Sequence, residues 1–375
     1  MRHLDRSAAV VAACGVLAPC LLAAPAFPTA AGAQAEPTKS SRLQIEFSRD
    51  FQRALGRRGI EMSAIGPASL AGRFATFPAA AGGLDLSGFG GTQATSGGLV
   101  LRRGKRRLIL REFAIKATIE KPKISVGLES GGRRFFARIG RTSSRREGFG
   151  VTVRLLSLSL TRPVEQVLAP RLGIHRPFIE GRRFGRGISR SQPGQVRLDG
   201  GTISLAGDTG LFAKLRSVGV TPAPDEAATM TGTEPPAFAF PLFGGSLAVD
   251  GSSGIVGTNS GLRLARGAPS AQTMWIVNLT VSPDSREVTA HVRIDPPPPD
   301  GGLYGIAPVA ELDPSGSSTA ASPGTRRIVV SGLGATINPF LATKLNEAFG
   351  APEGKPSLFG AGEKLGVFAI DALAE

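Results

Sequence analysis

Apolar and polar residues alternate along much of this chain, and the alternation runs through the same course twice. Leu43, Ile45 and Phe47 open the first course at every second position, the period of a strand with one buried face. Phe51, Leu55 and Ile60 then fall on one helical stripe that closes at Gly59, with Ser48 placed to cap its start. The second course repeats this with Ile203 and Leu205, then Leu211, Leu215 and Val220, with Asp208 as the cap and Gly219 as the stop. Further period-two runs follow in each: Phe113, Ile115, Ala117 and Ile119, then Ile124, Val126 and Leu128, against Trp275, Val277, Leu279 and Val281, then Val288, Ala290, Val292 and Ile294. A shorter strand is expected over residues 135–139, reached through a turn at Gly131 and Gly132. Each course ends on paired strands and a short helix carrying Val164, Val167, Leu168 and Leu172, or Leu341, Leu345 and Phe349.

The clearest self-match joins residues 77–104 to residues 240–267 at a constant offset of 163, which grows to 181 at the C-terminal end. A match of that length marks a duplicated domain. Two proline- and serine-rich insertions, residues 295–302 and 313–324, account for most of the growth and read as solvent loops. Short strands, glycine-rich turns and two short helices per copy predict a mostly β protein of two tandem antiparallel β-sandwich domains, at residues 42–192 and 200–375. The boundary is expected near residues 191–200.

Composition changes the picture in three ways. Residues 1–35 have the form of a secretory signal: Arg2 and Arg6, an apolar run, and Ala33-Gln34-Ala35 as a cleavage pattern. Both cysteines, Cys14 and Cys20, fall there, so the mature chain would carry no disulfide and no thiolate metal site. No later run of 18 apolar residues is present, so no transmembrane segment is expected after the leader, and the expected location is secreted or cell-wall associated. The charge is also divided: residues 36–200 carry a net +19 and residues 201–375 a net −5. A basic half in an exported chain points to an anionic polymer or another envelope component rather than to nucleic acid.

The repeated motifs, above all Leu345-Asn346-Glu347-Ala348-Phe349-Gly350 and Gly362-Glu363-Lys364-Leu365-Gly366, resemble the Htaa-type, haem-transport-associated domain of secreted actinobacterial proteins, in two copies. The resemblance implies a β-sandwich and names haem as the cofactor to test. Haem-binding members use a tyrosine from the first-helix region, supported by a histidine in a Gly-His-x-Gly turn. Neither first-helix window holds a tyrosine here, and the turns read Thr95-Ser96-Gly97-Gly98 and Thr258-Asn259-Ser260-Gly261, so those ligands do not carry over.

The remaining chemistry is sparse. Outside the leader the chain has one tyrosine, Tyr304, and two histidines, His175 and His291. Tyr304 and His291 could meet across a hairpin and are the haem-ligand candidates. His175 follows a helix end, where a cation is favoured. No metal-ligand spacing and no Gly-x-Ser-x-Gly elbow is present, so catalytic and metal residues are set at none and a hydrolase is the least favoured alternative. The strongest positive signal is basic: Arg102, Arg103, Lys105, Arg106, Arg107, Arg133, Arg134, Arg145 and Arg146, with Arg138 and Arg141 nearby. In a meander several of these would share a face. The expectation is a secreted, non-enzymatic envelope-binding protein, with electrostatic capture of an anionic polymer by the first copy as the alternative to a haem-related role.

Overall fold

In a computed structural model the described residues are 36–84, 91–117, 122–129, 131–174, 183–268, 271–298, 301–350 and 356–375. The expected leader, His175 and part of the glycine-rich turn at residues 88–91 lie outside them. Residues Ala35–Glu375 form one compact unit containing two 12-stranded antiparallel sheets.

The first sheet comprises β1 (Glu36–Phe47), β2 (Glu61–Ile65), β3 (Ser69–Ala71), β4 (Phe74–Leu84), β5 (Gly91–Thr95), β6 (Gly98–Arg103), β7 (Arg106–Ala117), β8 (Lys123–Leu128), β9 (Arg133–Ile139), β10 (Thr142–Glu147), β11 (Gly150–Leu160) and β12 (Arg183–Pro193), with helices α1 (Arg49–Gly56) and α2 (Arg162–Arg171). The second comprises β13 (Gln195–Gly207), β14 (Val220–Asp225), β15 (Thr229–Thr231), β16 (Ala237–Ala248), β17 (Gly254–Thr258), β18 (Gly261–Arg266), β19 (Gln272–Ser282), β20 (Glu287–Asp295), β21 (Leu303–Asp313), β22 (Ser318–Ser322), β23 (Arg327–Ile337) and β24 (Lys364–Ala374), with α3 (Thr209–Ser217) and α4 (Pro339–Phe349).

The strand order of the first sheet is β2-β6-β7-β5-β4-β1-β12-β11-β9-β8, and a further pairing of β7 with β8 closes it into a ring. The second reads β14-β18-β19-β17-β16-β13-β24-β23-β21-β20, closed by β19 with β20. Each strand of the second copy thus takes the place of its counterpart in the first. The two layers expected of a sandwich are therefore joined at their edges into a barrel, which leaves few open strand edges. Leu99 pairs with Leu110, and Leu262 with Ile276, so the repeated motif occupies matching positions in the two sheets.

Local chemistry explains why these sequences adopt these elements. Ser48 Oγ accepts from the Phe51 amide at 3.1 Å, and Asp208 accepts from the Gly210 and Leu211 amides at 2.8 and 3.1 Å, so both expected helix caps form. The glycines of the repeated motifs are required by space. A Cβ on Gly98 or Gly261 would lie 2.1 Å from the carbonyl oxygen of Leu110 or Ile276 across the ladder. Gly185 and Gly366, in the closing motif, meet the carbonyls of Glu46 and Ala206 at 2.3 and 2.1 Å in the same way. Any side chain at these positions would push two strands apart.

Within the stretch 191–200, β12 of the first sheet ends at Pro193 and β13 of the second starts at Gln195. One sequence expectation changes. Part of the insertion at residues 313–324 forms β22, paired to β23 with every residue exposed. Its polar composition suits an edge strand as well as a loop, because neither face is buried.

The barrels are filled by side chains. In the first, Phe77, Phe113, Phe136, Phe184, Phe47 and Phe51 form a continuous file, with neighbouring ring centroids 4.6 to 6.1 Å apart. In the second, Phe212, Phe238, Phe240, Phe349, Phe359 and Phe368 lie in one buried cluster. Asn346 of the helix motif ties the last segment down. Its Oδ1 accepts from the amides of Leu358 and Phe359 at 3.0 Å each, and its Nδ2 donates to the Phe359 carbonyl at 2.7 Å. Asn346→Ala would strand those backbone groups and is expected to cost about 1–3 kcal/mol, measured by urea unfolding. A loss within error would show that water replaces the side chain freely.

Candidate functional site

Tyr304 and His291 do not form a ligand pair. Tyr304 pairs with Val292, a fully buried residue, and packs inward against Phe340 at 5.8 Å between ring centroids. Lys344 Nζ lies 4.0 Å over the Tyr304 ring and 2.8 Å from the Glu347 carboxylate. His291 pairs with Val277 and Ile306 on the opposite, outward face. One pairing shift in this hairpin, between His291 and Val292, helps to set that parity. Hemin is accordingly expected to give the same spectrum with the wild type and with Tyr304→Phe. A Soret band lost only in the variant would restore Tyr304 as a ligand.

The basic residues singled out from the sequence are dispersed. Arg103 serves the fold, donating to the Arg58 carbonyl at 2.9 Å and to the Leu172 and Gly173 carbonyls that end α2 at 3.2 and 2.7 Å. Arg106 stands against Gly173. Arg102 Nε reaches the Gly104 carbonyl within its own turn, where Lys105 is exposed. Arg107 pairs with Glu129 at 3.3 Å. Arg133 donates to the Glu112 carbonyl at 2.8 and 3.1 Å and lies 3.6 Å from its carboxylate. Arg134 is exposed opposite Val126. Arg146 donates to the main-chain oxygen of Glu375. The expected shared face is divided, because Arg102 and Arg103, Arg106 and Arg107, Arg133 and Arg134, and Arg145 and Arg146 are consecutive residues within strands and point to opposite sides of the sheet.

Arg145 alone belongs to a larger array. It pairs with Thr152 on β11, Thr152 pairs with Arg190 on β12, and Arg190 pairs with Arg42 on β1. Cross-strand partners project from the same side of a sheet, and here it is the outer one: the residues alternating with Arg42 and Arg190, namely Leu43 and Ser189, point into the core. Arg154, two residues beyond Thr152, pairs with Ser143 and joins the same face. Strands lie about 4.8 Å apart, so Arg145 to Arg42 spans roughly 14 Å across four strands. All four arginines are exposed, and none has a hydrogen bond or ion pair to another described residue.

The carboxylates bordering this face are already engaged. Glu147 accepts from Thr152 Oγ1 at 2.9 Å. Glu46 takes Arg186 and, at 2.6 Å, Arg73. The hydrogen bond from Arg186 holds the Glu46 carboxyl below the usual carboxylate range, against the opposing effect of its burial, and the charges of Arg186 and Arg73 add to the lowering. A lowered pKa contributes stability that is present above the unfolded value, about 4.3 for Glu, and is lost as pH falls through the folded value. Glu46→Gln should therefore flatten the acid limb of the stability profile, read by urea midpoints between about pH 3 and 6. An unchanged limb would show that Glu46 contributes nothing to it.

The second copy supplies an internal control. Its matching register reads Ala320, Val329, Asp371 and Thr202, with Ser331 in the place of Arg154. No arginine stands at these positions, and Asp371 is paired with Arg327. Arg42, Arg154 and Arg190 were missed in the sequence because they lie far apart in it. The one available signal was that each occupies the polar phase of an alternating strand.

Among solved structures, the chain is similar to the C-terminal domain of HtaA from Corynebacterium glutamicum, at 12% identity and a TM-score of 0.33, over 42% of this chain and 98% of that one. It is also similar to the heme binding protein HtaB from Corynebacterium glutamicum, at 12% identity and a TM-score of 0.31, over 48% of this chain and 96% of that one. No family model matches, and no curated protein matches. No described helix is long and apolar enough to cross a membrane.

Proposed function

We propose that this is a secreted, non-enzymatic binding protein of the cell envelope, whose first copy holds an anionic polymer on the outer face of β10, β11, β12 and β1. The observation that carries this reading is the contrast between the copies. The first places four arginines without protein partners on a face where the second places Thr202, Ala320, Ser331 and Asp371. Guanidinium groups free of internal partners, on a rigid sheet, are poised for oxyanions of a ligand. The second copy is then a packed scaffold that carries the first.

The reading predicts binding governed by salt. With about four oxyanion contacts, affinity for a polyanion should fall on the order of 1,000-fold for a tenfold rise in salt. Titration of the full chain with poly(glycerol phosphate) and with polyglutamate, each at low and high salt, measures this. Affinity independent of salt, or binding to neither polymer, would overturn it.

A further inference from the structure

We infer that the arginine face is a phosphate site, and that Arg42 and Arg190 form its central seat. This rests on the proposed role of the face in binding a polyanion and narrows it to phosphate groups of a phosphodiester polymer. Arg42 and Arg190 are direct cross-strand partners on adjacent strands. Like charges placed opposite each other on an antiparallel ladder are destabilising, and no described carboxylate offsets either one. The pair makes physical sense when an anion sits between the two guanidinium groups.

The geometry favours one shape of anion. Two forks rising side by side from strands about 4.8 Å apart approach a ligand from two directions. A tetrahedral phosphate presents non-bridging oxygens in both directions, whereas a planar carboxylate offers one edge and suits a single fork. Arg145 and Arg154 form a second seat of the same kind. They are diagonal neighbours on β10 and β11, two residues out of step, a placement that leaves side chains about 7–8 Å apart and within reach of a common group. An extended phosphodiester chain laid across the strands would meet both seats. Thr152, itself buried, lies between them and donates its hydroxyl to Glu147.

The test uses the full chain, with poly(glycerol phosphate) as probe and polyglutamate as the carboxylate control. One variant gives the face second-copy residues at three positions and a neutral one at the fourth: Arg42→Thr, Arg145→Ala, Arg154→Ser and Arg190→Gln. A comparison variant neutralises the exposed turn instead, as Arg102→Ser, Lys105→Ser and Arg107→Ser. Far-UV circular dichroism and Trp275 fluorescence check folding. Should the fourfold variant not fold, Arg42→Thr alone serves, with a loss of about tenfold expected for one opposed guanidinium. The wild type is expected to prefer the phosphate polymer. The face variant should lose about 100-fold or more, with a salt slope shallower by about three, while the turn variant stays near wild type. Equal binding of the two polymers by the wild type would overturn the phosphate assignment. An unaffected face variant beside a crippled turn variant would move the site off this face, with the polyanion role intact. A wild type that binds neither polymer would remove that role itself.

Discussion

Phe113→Ala is expected to destabilise the first barrel by about 3–5 kcal/mol, the usual cost of emptying a buried phenylalanine site. Phe113 is fully buried, and its ring lies 4.6 Å from that of Phe77 and 5.4 Å, edge to face, from that of Phe136. It is an interior link of the six-ring file, so truncation removes two aromatic contacts, each contributing about 0.5–1.5 kcal/mol beyond area, and opens a gap that ladder-bonded strands cannot close. Domains are typically stable by only about 5–15 kcal/mol, so the loss should appear as an early transition. The chain carries its own second probe. Its single tryptophan, Trp275, lies on β19, in the second sheet. Far-UV circular dichroism should report the early transition while Trp275 fluorescence holds to higher urea. Coincident transitions in the variant would show that the two barrels unfold as one.

The second large effect crosses between the copies. Phe149 lies in the β10–β11 turn of the first sheet, yet its side chain, 3% exposed, lies in the hydrophobic cluster of the second. The turn fits closely, since a Cβ on Gly148 would stand 2.6 Å from Pro323 Cβ. Arg146, beside it, donates to the main-chain oxygen of Glu375. Phe149→Ala should therefore lower the transition reported by Trp275 by about 3 kcal/mol, the lower end of the range for phenylalanine truncation, although the substitution is made in the other copy. A further consequence links the two variants. Once Phe113→Ala has opened the first barrel, Phe149 is withdrawn with it. The Trp275 transition of Phe113→Ala should then match that of Phe149→Ala. A Trp275 midpoint in Phe149→Ala equal to wild type would show that this turn contributes nothing to the second core.

Much of the architecture can be read in the residues because it depends on local signals. Alternation at Leu43, Ile45 and Phe47 or at Val288, Ala290, Val292 and Ile294 places buried faces correctly, since the strand period is two wherever the strand lies in a sheet. Ser48 and Asp208 cap helices through amides two or three residues away. The glycine motifs recur because the same backbone approaches recur at Gly98 and Gly261, and at Gly185 and Gly366.

The candidate site behaves differently. The basic turn at residues 102–107 is conspicuous as a run, but Arg103 and Arg107 are consumed by partners within the fold. The four arginines of the proposed face stand singly, at positions 42, 145, 154 and 190, within strands that look ordinary. Tyr304 and His291 fail for a related reason: hairpin parity turns on the pairing shift between His291 and Val292, which alternation alone does not record.

By itself the sequence determined the duplication, the strand and helix content and the burial phase of most strands, because each depends on spacings of a few residues. Only the tertiary structure decided that the sheets close into barrels, that Phe149 enters the neighbouring core, and that four arginines from three distant segments converge on one face. Those outcomes depend on which strands pair and in what register, and register is fixed by packing between segments up to about 150 residues apart, where no local pattern reaches.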